Sequence, residues 1–196
     1  MSYINLIVLV IFSLFLQTTN SQANNIAPIY GAATANAYYN GPPIYHYSSF
    51  IPSNAIDDNW QTIWDAGDCA SPQNTYWLQV DLQNDYEIYK IILIGEDVLS
   101  HFPGLTNDYN LYNSTNGIDW NFIQSGTLTN TYDYVHSINI TSNKLMRYAK
   151  YEVVGGTGWA LLGEIEIYAV PVPSAIFLLG SGLLGLGIAI KGNYRL

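Results

Sequence analysis

The sequence has few positive charges: six Lys and Arg stand against fifteen Asp and Glu among 196 residues. Nucleic-acid binding depends on Lys and Arg that neutralise phosphates, so a formal net charge of −9 argues against a nucleic-acid partner. Cysteine is also scarce. Because Cys69 is alone, an internal disulfide framework is excluded, and stabilisation must come from packing or from a bound metal ion.

Patterns typical of catalysis are missing as well. The histidines His46, His101 and His136 lack metal-ligand spacing, and the chain has no Gly-x-Ser-x-Gly motif. Glu164 and Glu166 share one strand face, where they are too closely constrained to flank a sugar from opposite sides. We therefore expect a protein that is not an enzyme.

Aromatic residues are abundant, with 17 Tyr and 5 Trp, and short strand patterns recur from residue 24 to residue 169 without sustained helical periodicity. Trp77–Leu82 alternates, and Tyr86–Ile94 is almost continuously apolar, which predicts a central strand buried on both faces. Asn116-Gly117 predicts a hairpin turn. Further strands are predicted at Tyr134–Ile140, Leu145–Val154 and Ala160–Tyr168. The pattern indicates an all-β fold, an antiparallel β-sandwich or jelly roll, flanked by two hydrophobic terminal helices.

The N-terminal segment 1–23 is predicted to be a signal peptide. An apolar run from Ile4 to Leu16 precedes the small-x-small site Ser21-Gln22-Ala23. An uncleaved membrane anchor is the alternative, although the run is short for a membrane span.

The C-terminal segment 170–196 combines Val170-Pro171-Val172-Pro173-Ser174, an uncharged run from Ala175 to Ile190, and the basic Lys191 and Arg195. The run can cross a bilayer core of about 30 Å as a transmembrane helix. The arrangement resembles the PEP-CTERM sorting signal of Gram-negative bacteria, which implies processing by a membrane peptidase, the exosortase. An ordinary tail anchor is the alternative.

The segment Asn54–Trp64 predicts a calcium-binding loop, because oxygen-bearing side chains alternate there with large apolar ones. Asp57 would supply a carboxylate, Thr62 a hydroxyl, and two asparagines backbone carbonyls. One further carboxylate is needed to neutralise the charge of the calcium ion, and we expect the last strand to supply it. The predicted ligands are Asn54, Asp57, Asn59, Thr62 and Glu164.

Five motifs in register resemble the coagulation factor V/VIII type C domain, also called the discoidin domain. These motifs are Asn54-Ala-Ile-Asp-Asp-Asn-x-x-Thr-x-Trp64, Trp77-Leu-x-Val-Asp-Leu82, Tyr109-x-Leu-Tyr-x-Ser-x-Asn-Gly-x-x-Trp120, Arg147-Tyr-x-Lys150 and Glu164-Ile-x-Ile167. The resemblance covers residues 29 to 169 and implies a galactose-binding-like jelly roll with a structural calcium ion. Asp58 replaces the family's usual glycine, in a turn that Asp tolerates better than most residues.

The family includes carbohydrate-binding modules, in which rim loops present an aromatic platform and polar groups to a sugar. By position, Trp159 matches the late aromatic platform of these modules. Further predicted ligand contacts are Tyr45, His46, Tyr47, His101 and Asn107. The competing interpretation of these residues is packing within a tyrosine-rich sandwich.

The resemblance and the two terminal segments together predict an exported binding module. We expect it to recognise a polysaccharide or another glycan after delivery to the cell surface or extracellular matrix of a Gram-negative bacterium. The alternative is a structural or adhesive envelope protein that binds another protein.

Overall fold

A computed structural model of the chain describes residues 23–42, 49–59, 61–68, 75–95, 106–129 and 134–171, apart from the side chains of residue 68 and residues 142–144. The predicted signal peptide and sorting signal, with their terminal helices, lie outside these residues except at Ala23, Val170 and Pro171. None of the helices in the described part of the chain has the length and apolar character that a membrane span needs. Contacts delimit Asn24–Val170 as one unit.

Strands dominate the unit, as the alternating sequence pattern predicts. A short helix, α1 (Ala27–Tyr30), follows the N-terminal segment, and a 3-10 helix spans Pro52–Ile56. The strands are β1 (Ala32–Ala35), β2 (Trp64–Asp68), β3 (Tyr76–Ile94), β4 (Thr106–Ser114), β5 (Asn121–Thr129), β6 (Val135–Thr157), β7 (Trp159–Leu162) and β8 (Glu164–Ala169).

Two long strands, β3 and β6, lie side by side in the interior of the larger sheet. They pair antiparallel from Tyr76 opposite Val153 to Ile94 opposite Val135. One half of β3 also pairs with β1, and the other half with β8. Strand β4 pairs with the C-terminal half of β6 and with β5. A separate two-stranded ladder consists of β2 and β7.

The long strands fold over to make the two layers of a sandwich. Tyr109 on β4 lies opposite Val153 at one end of β6, yet its hydroxyl is 3.1 Å from Nδ1 of His136 near the other end. In β3 the pairing register shifts between Asp81 and Tyr86, and Gln83 adopts a φ of 67°. Such a bulge bends a strand, and the antiparallel sandwich expected from the sequence is therefore confirmed.

The bend in β3 is held by an ion pair with β6. Arg147 donates from Nε and Nη2 to the two carboxylate oxygens of Asp81, at 2.8 and 2.9 Å, and Asp81 Oδ1 also accepts the backbone N–H of Gln83 at 2.8 Å. The hydrogen bond from Arg147 lowers the pKa of Asp81. This paired geometry is the strong form of an Arg–carboxylate contact.

The core lies between the folded halves of the sheet. Leu78, Val80 and Leu82 are fully buried, as their alternation predicts, and so are Ile165 and Ile167. The prediction that Tyr86–Ile94 is buried on both faces is wrong. Ile88, Ile91 and Leu93 are buried while the residues between them are partly exposed, because an antiparallel sheet turns only one face to the core.

In the structure, some strands that were predicted separately form one continuous strand, and one predicted strand is divided in two. The expected segments 77–82 and 86–94 join as β3, and 134–140 and 145–154 join as β6. The expected strand 160–168 instead divides at Gly163 into β7 and β8. A Cβ at Gly163 would lie 2.7 Å from the carbonyl oxygen of Gly95, so glycine is required where β8 begins.

Replacing Gly163 by Ala is expected to lower the free energy of unfolding by about 1 to 3 kcal/mol, because the methyl group must displace backbone. Urea unfolding of the purified protein measures the change. Gly95→Ala is the matched control, since its Cβ would meet Tyr134 at an ordinary 3.5 Å. Equal stability of the two variants would contradict the close approach at Gly163.

Candidate functional site

The segment from Pro52 to Trp64 is a loop whose flanks are fixed in the interior. It begins with the 3-10 helix and leads into the fully buried Ile63 and Trp64. The side-chain amide of Asn54 donates to the carbonyls of Ser49 and Ile63, each at 2.9 Å. Because both ends of the loop are held, the oxygens that it carries have fixed positions.

A sharp turn at Asp57-Asp58 shapes the middle of this loop. Asp57 Oδ1 accepts the backbone N–H of Asn59 at 3.0 Å, and Asp58 adopts a φ of 61°. This is the left-handed conformation for which glycine is the usual residue and which Asp tolerates.

Oxygen atoms converge on the hydroxyl group of Thr62. Its Oγ1 lies 2.7 Å from the carbonyl of Asn59, 2.9 Å from each carboxylate oxygen of Asp57 and 3.4 Å from the carbonyl of Asn54. A hydroxyl has a single hydrogen to donate. Four acceptors around one donor leave lone pairs unsatisfied, which is the arrangement that a hard cation stabilises.

Glu164 completes this group of oxygens from the start of β8. Its side chain is 2 % exposed, and Oε1 accepts the N–H of Asn59 at 2.9 Å, the same N–H that Asp57 accepts. Oε2 is buried and receives no hydrogen bond from the described residues. Burial, aided by the neighbouring Asp57, raises the pKa of Glu164 to about 8.

The structure therefore brings together the five residues predicted as calcium ligands. Within the described ranges, no three His, Cys, Asp or Glu side chains cluster to hold a metal ion, so a cation here would bind two carboxylates, a hydroxyl and two carbonyls. This set suits Ca²⁺, which takes irregularly placed oxygens, better than Zn²⁺, which prefers nitrogen and sulfur. The residues fit the ion that the resemblance implies.

Trp159 lies at the opposite end of the β2–β7 ladder from this loop. It is paired with Asp68, whereas Leu162, which is close to Glu164 in sequence, is paired with Trp64. The Trp159 ring is half-buried and stacks on Tyr39 at a centroid distance of 6.3 Å and an angle of 27°. Tyr39 in turn contacts Phe50 edge to face at 5.4 Å, so packing holds both rings of the Tyr39–Trp159 pair.

A buried carboxyl group lies on β2, the strand that the backbone of Tyr39 contacts. Asp65 on β2 is fully buried, and its backbone carbonyl accepts the N–H of Tyr39 at 2.7 Å. Oδ1 accepts the N–H of Gly67 at 2.7 Å, whereas no described residue donates to Oδ2. Burial raises the pKa of Asp65 to about 6.

Of the remaining predicted ligand contacts, the structure describes only Asn107. Asn107 is 3 % exposed, and its amide is 3.4 Å from the carbonyl of Leu161. This hydrogen bond joins β4 to β7, and contact of Asn107 with a ligand stays a prediction. The other predicted contacts, Tyr45, His46, Tyr47 and His101, lie outside the described residues.

Two residues of this region were not among the predicted contacts. Tyr39 lies in a stretch of mixed aromatic and polar residues that marks a loop, and Asp65 follows an apolar pair without a recognisable spacing. Their proximity to Trp159 depends on pairing between distant segments. The nearest signal in the sequence is the pair Tyr38-Tyr39, which stands between small and polar residues.

The match to a family model identifies the class of this domain. The F5/8 type C domain model matches residues 32–165, which include all eight strands except the end of β8. The chain belongs to this family, as its five motifs predict. A comparison with curated protein sequences finds no match.

Solved structures with the same fold include carbohydrate-binding modules. The family 32 module of Clostridium perfringens NanJ, in complex with galactose, has a TM-score of 0.59 and 20 % identity over 74 % of this chain and 97 % of its own. CpGH89CBM32-5 from the same organism, in complex with GalNAc-β-1,3-galactose, has a TM-score of 0.59 and 19 % identity over 76 % and 100 %. A fucolectin from striped bass (Morone saxatilis) serum has a TM-score of 0.57 and 21 % identity over 76 % and 49 %.

The raised pKa of Asp65 predicts that its contribution to stability falls as pH rises from about 4 to 6. The folded state holds the proton more tightly than the unfolded state, so ionisation favours unfolding. The difference between about 6 and the ordinary 3.8 corresponds to roughly 3 kcal/mol. Asp65→Asn should flatten this part of the pH profile in urea unfolding, and Asp85→Asn, at an exposed position, should not. An unchanged profile for Asp65→Asn would contradict the assignment.

Proposed function

We propose that the domain is a non-catalytic glycan-binding module in which a structural calcium ion fixes the fold and the Tyr39–Trp159 pair contacts the sugar. The observation that carries the proposal is the half-buried aromatic pair at one end of the β2–β7 ladder. The C–H face of a sugar stacks on such a ring while its hydroxyl groups need polar partners. The fold shared with galactose-bound modules supports this function.

A non-catalytic role agrees with the carboxylates of β8. Glu164 is buried and accepts a hydrogen bond from Asn59. Glu166 accepts the hydroxyl of Tyr168 at 2.7 Å. Neither group is placed as one of two carboxyls that flank an open sugar site.

The proposed calcium ion binds the loop oxygens of Asn54, Asp57, Asn59 and Thr62 together with Glu164. Its charge offsets the repulsion between the two carboxylates and supplies the missing partner of Glu164 Oε2. It is a structural ion in this proposal, because the oxygens that hold it belong to the loop and to β8, which are thereby joined.

The proposed location of the module is the cell surface or extracellular matrix of a Gram-negative bacterium. The support for export and sorting is the sequence of the segments 1–23 and 170–196. In this proposal the exosortase is a processing partner, and the C-terminal helix tethers the chain to the membrane before cleavage.

Calcium is expected to raise the melting temperature of chelator-treated protein, because a ligand that binds only the folded state stabilises it, by about 2.7 kcal/mol at a hundred times the Kd. Asp57→Ala should abolish the response, as measured by thermal unfolding with EDTA and with added Ca²⁺. Asp58→Gly is the matched control. It removes a carboxylate from the same loop, restores the favoured residue at a positive φ, and should keep the calcium response. A response that survives Asp57→Ala would contradict the proposed ligand set.

Trp159→Ala is expected to weaken glycan binding by tenfold or more, about 1.4 kcal/mol, because a central aromatic contact is lost. A glycan array identifies the ligand, and isothermal titration calorimetry gives the affinity. Phe122→Ala is the matched control, since Phe122 is a 54 % exposed aromatic residue on β5. Retention of the calcium response shows that each variant is folded. Binding that Trp159→Ala leaves unchanged, or capture of a protein that sugars do not displace, would reject the proposal.

A further inference from the structure

The two rings of the Tyr39–Trp159 pair are connected to different carboxylates of the candidate calcium site. Trp159 begins β7, and one residue after β7 ends, Glu164 begins β8. The ring of Tyr39 contacts the ring of Phe50, which lies just before the loop that carries Asp57. Because Asp57 and Glu164 meet at one backbone N–H, the site joins the segment behind each ring.

Hydrogen bonds connect the oxygens of the loop to the residues that flank it. The side-chain amide of Asn54 donates to the carbonyls of Ser49 and Ile63, each at 2.9 Å. Ser49 precedes Phe50, and Ile63 follows Thr62. The carbonyl of Asn54 also lies among the oxygens that converge on the hydroxyl of Thr62. A shift of these oxygens therefore moves the segments on both sides of the loop.

Phe50 connects these segments to Tyr39. Phe50 and Ile63 form a small buried cluster against which Tyr39 packs. The rings of Phe50 and Tyr39 have a centroid distance of 5.4 Å and an interplanar angle of 82°, an arrangement that aromatic pairs favour. Asp65 adds a backbone connection, since it donates its N–H to the carbonyl of Phe50 at 3.3 Å and accepts the N–H of Tyr39 at 2.7 Å. Close-packed contacts of this kind transmit displacements.

We propose that Phe50 is a positioning residue that couples the loop to the Tyr39–Trp159 pair, so that calcium and a glycan bind cooperatively. This inference rests on the proposed function and adds the regulation of its site. When Asp57 and Glu164 hold a common cation, the loop and β8 are fixed, and the two rings keep the relative position that a sugar contacts. When the cation is removed by a chelator, the convergent oxygens lose the partner that orders them, and glycan binding must order the loop at a cost in affinity.

Cooperativity of this kind is reciprocal. If calcium tightens glycan binding by some factor, the glycan tightens calcium binding by the same factor. Couplings between two sites commonly lie between about fivefold and 150-fold, and for the ordering of one loop we expect about tenfold. An ion with a purely structural role would raise the melting temperature and leave the glycan affinity of the folded protein unchanged.

Amide hydrogen exchange with calcium as the only added ligand tests the connection without a sugar. Calcium should slow the exchange of the Thr62 and Tyr39 N–H groups by about tenfold relative to EDTA, because both open locally when the loop is loose. The N–H of Val170, which donates to Glu87 at the far end of β8, is the internal control and should be unaffected. NMR measures the three rates in the purified protein, at a temperature where the EDTA-treated form is folded. Asp57→Ala should remove the effect of calcium.

The variant Phe50→Leu separates the coupling from stability. Calorimetry uses the oligosaccharide that gives the strongest Trp159-dependent signal on the glycan array. The unaltered protein should bind it about tenfold tighter in calcium than in EDTA, whereas Phe50→Leu should lower that factor to about threefold or less, because the ring contact with Tyr39 is lost. Phe50→Leu should keep the rise in melting temperature with calcium. Ile91→Val is the matched control, since it shortens a fully buried side chain between β6 and β8, and it should keep the full factor.

The outcomes separate this inference from the function on which it rests. Trp159-dependent binding of equal affinity in calcium and in EDTA would overturn the coupling and leave the glycan-binding function intact. The role of Phe50 is overturned if Phe50→Leu keeps the full factor, or if calcium slows exchange at Thr62 and not at Tyr39. If no sugar binds in a manner that depends on Trp159, the proposed function and the cooperative binding both fail.

Discussion

The meeting of Asp57 and Glu164 is the constraint on which the arrangement of the domain depends. Both carboxylates accept the same backbone N–H, that of Asn59, although Asn59 and Glu164 are 105 positions apart in the chain. Two acidic groups this close repel each other when both are ionised, and packing on both sides holds the loop and β8 in place against that repulsion. From this point the loop leads directly into β2, β2 pairs with β7, and the ladder ends at Trp159. The position of the aromatic pair thus follows from the position of the carboxylates.

The alternating pattern was sufficient to predict most strands, because one face of an antiparallel sheet is apolar and the other is not. Leu78, Val80 and Leu82 illustrate this, and the hairpin at Asn116-Gly117 was predictable from its turn residues, with Gly117 at a φ of 73°. Bends were not predictable in the same way. The bulge near Gln83 keeps β3 continuous where polar residues suggest a break, since hydrogen bonds with Asp81 and Arg147 replace the lost pairing.

In the site, as in the fold, residues with a local sequence signal were predictable. Residues whose position depends on contacts between distant segments were not. Charge counting within the loop indicated that a carboxylate was missing and led to Glu164 in the last strand, which the family resemblance also implies. Tyr39 and Asp65 had no comparable signal, because their relation to Trp159 arises from backbone contacts between segments distant in sequence. The burial of Asn107 was not predictable for a related reason: a polar residue at a strand start is equally compatible with solvent and with an internal hydrogen bond to the next layer.

The two ends of the domain lie next to each other. Asn25 forms a bridge with Tyr168, and the N–H of Ile26 donates to the carbonyl of Ile167 at 2.8 Å. Domains whose ends are adjacent tolerate insertion into a host chain and circular permutation. This sandwich can therefore be carried within a longer polypeptide, or joined in tandem with further copies, without any strand having to cross its interior. Tension between the two ends would peel β8 from β3 one hydrogen bond at a time, and Glu164, at the far end of β8, would separate last.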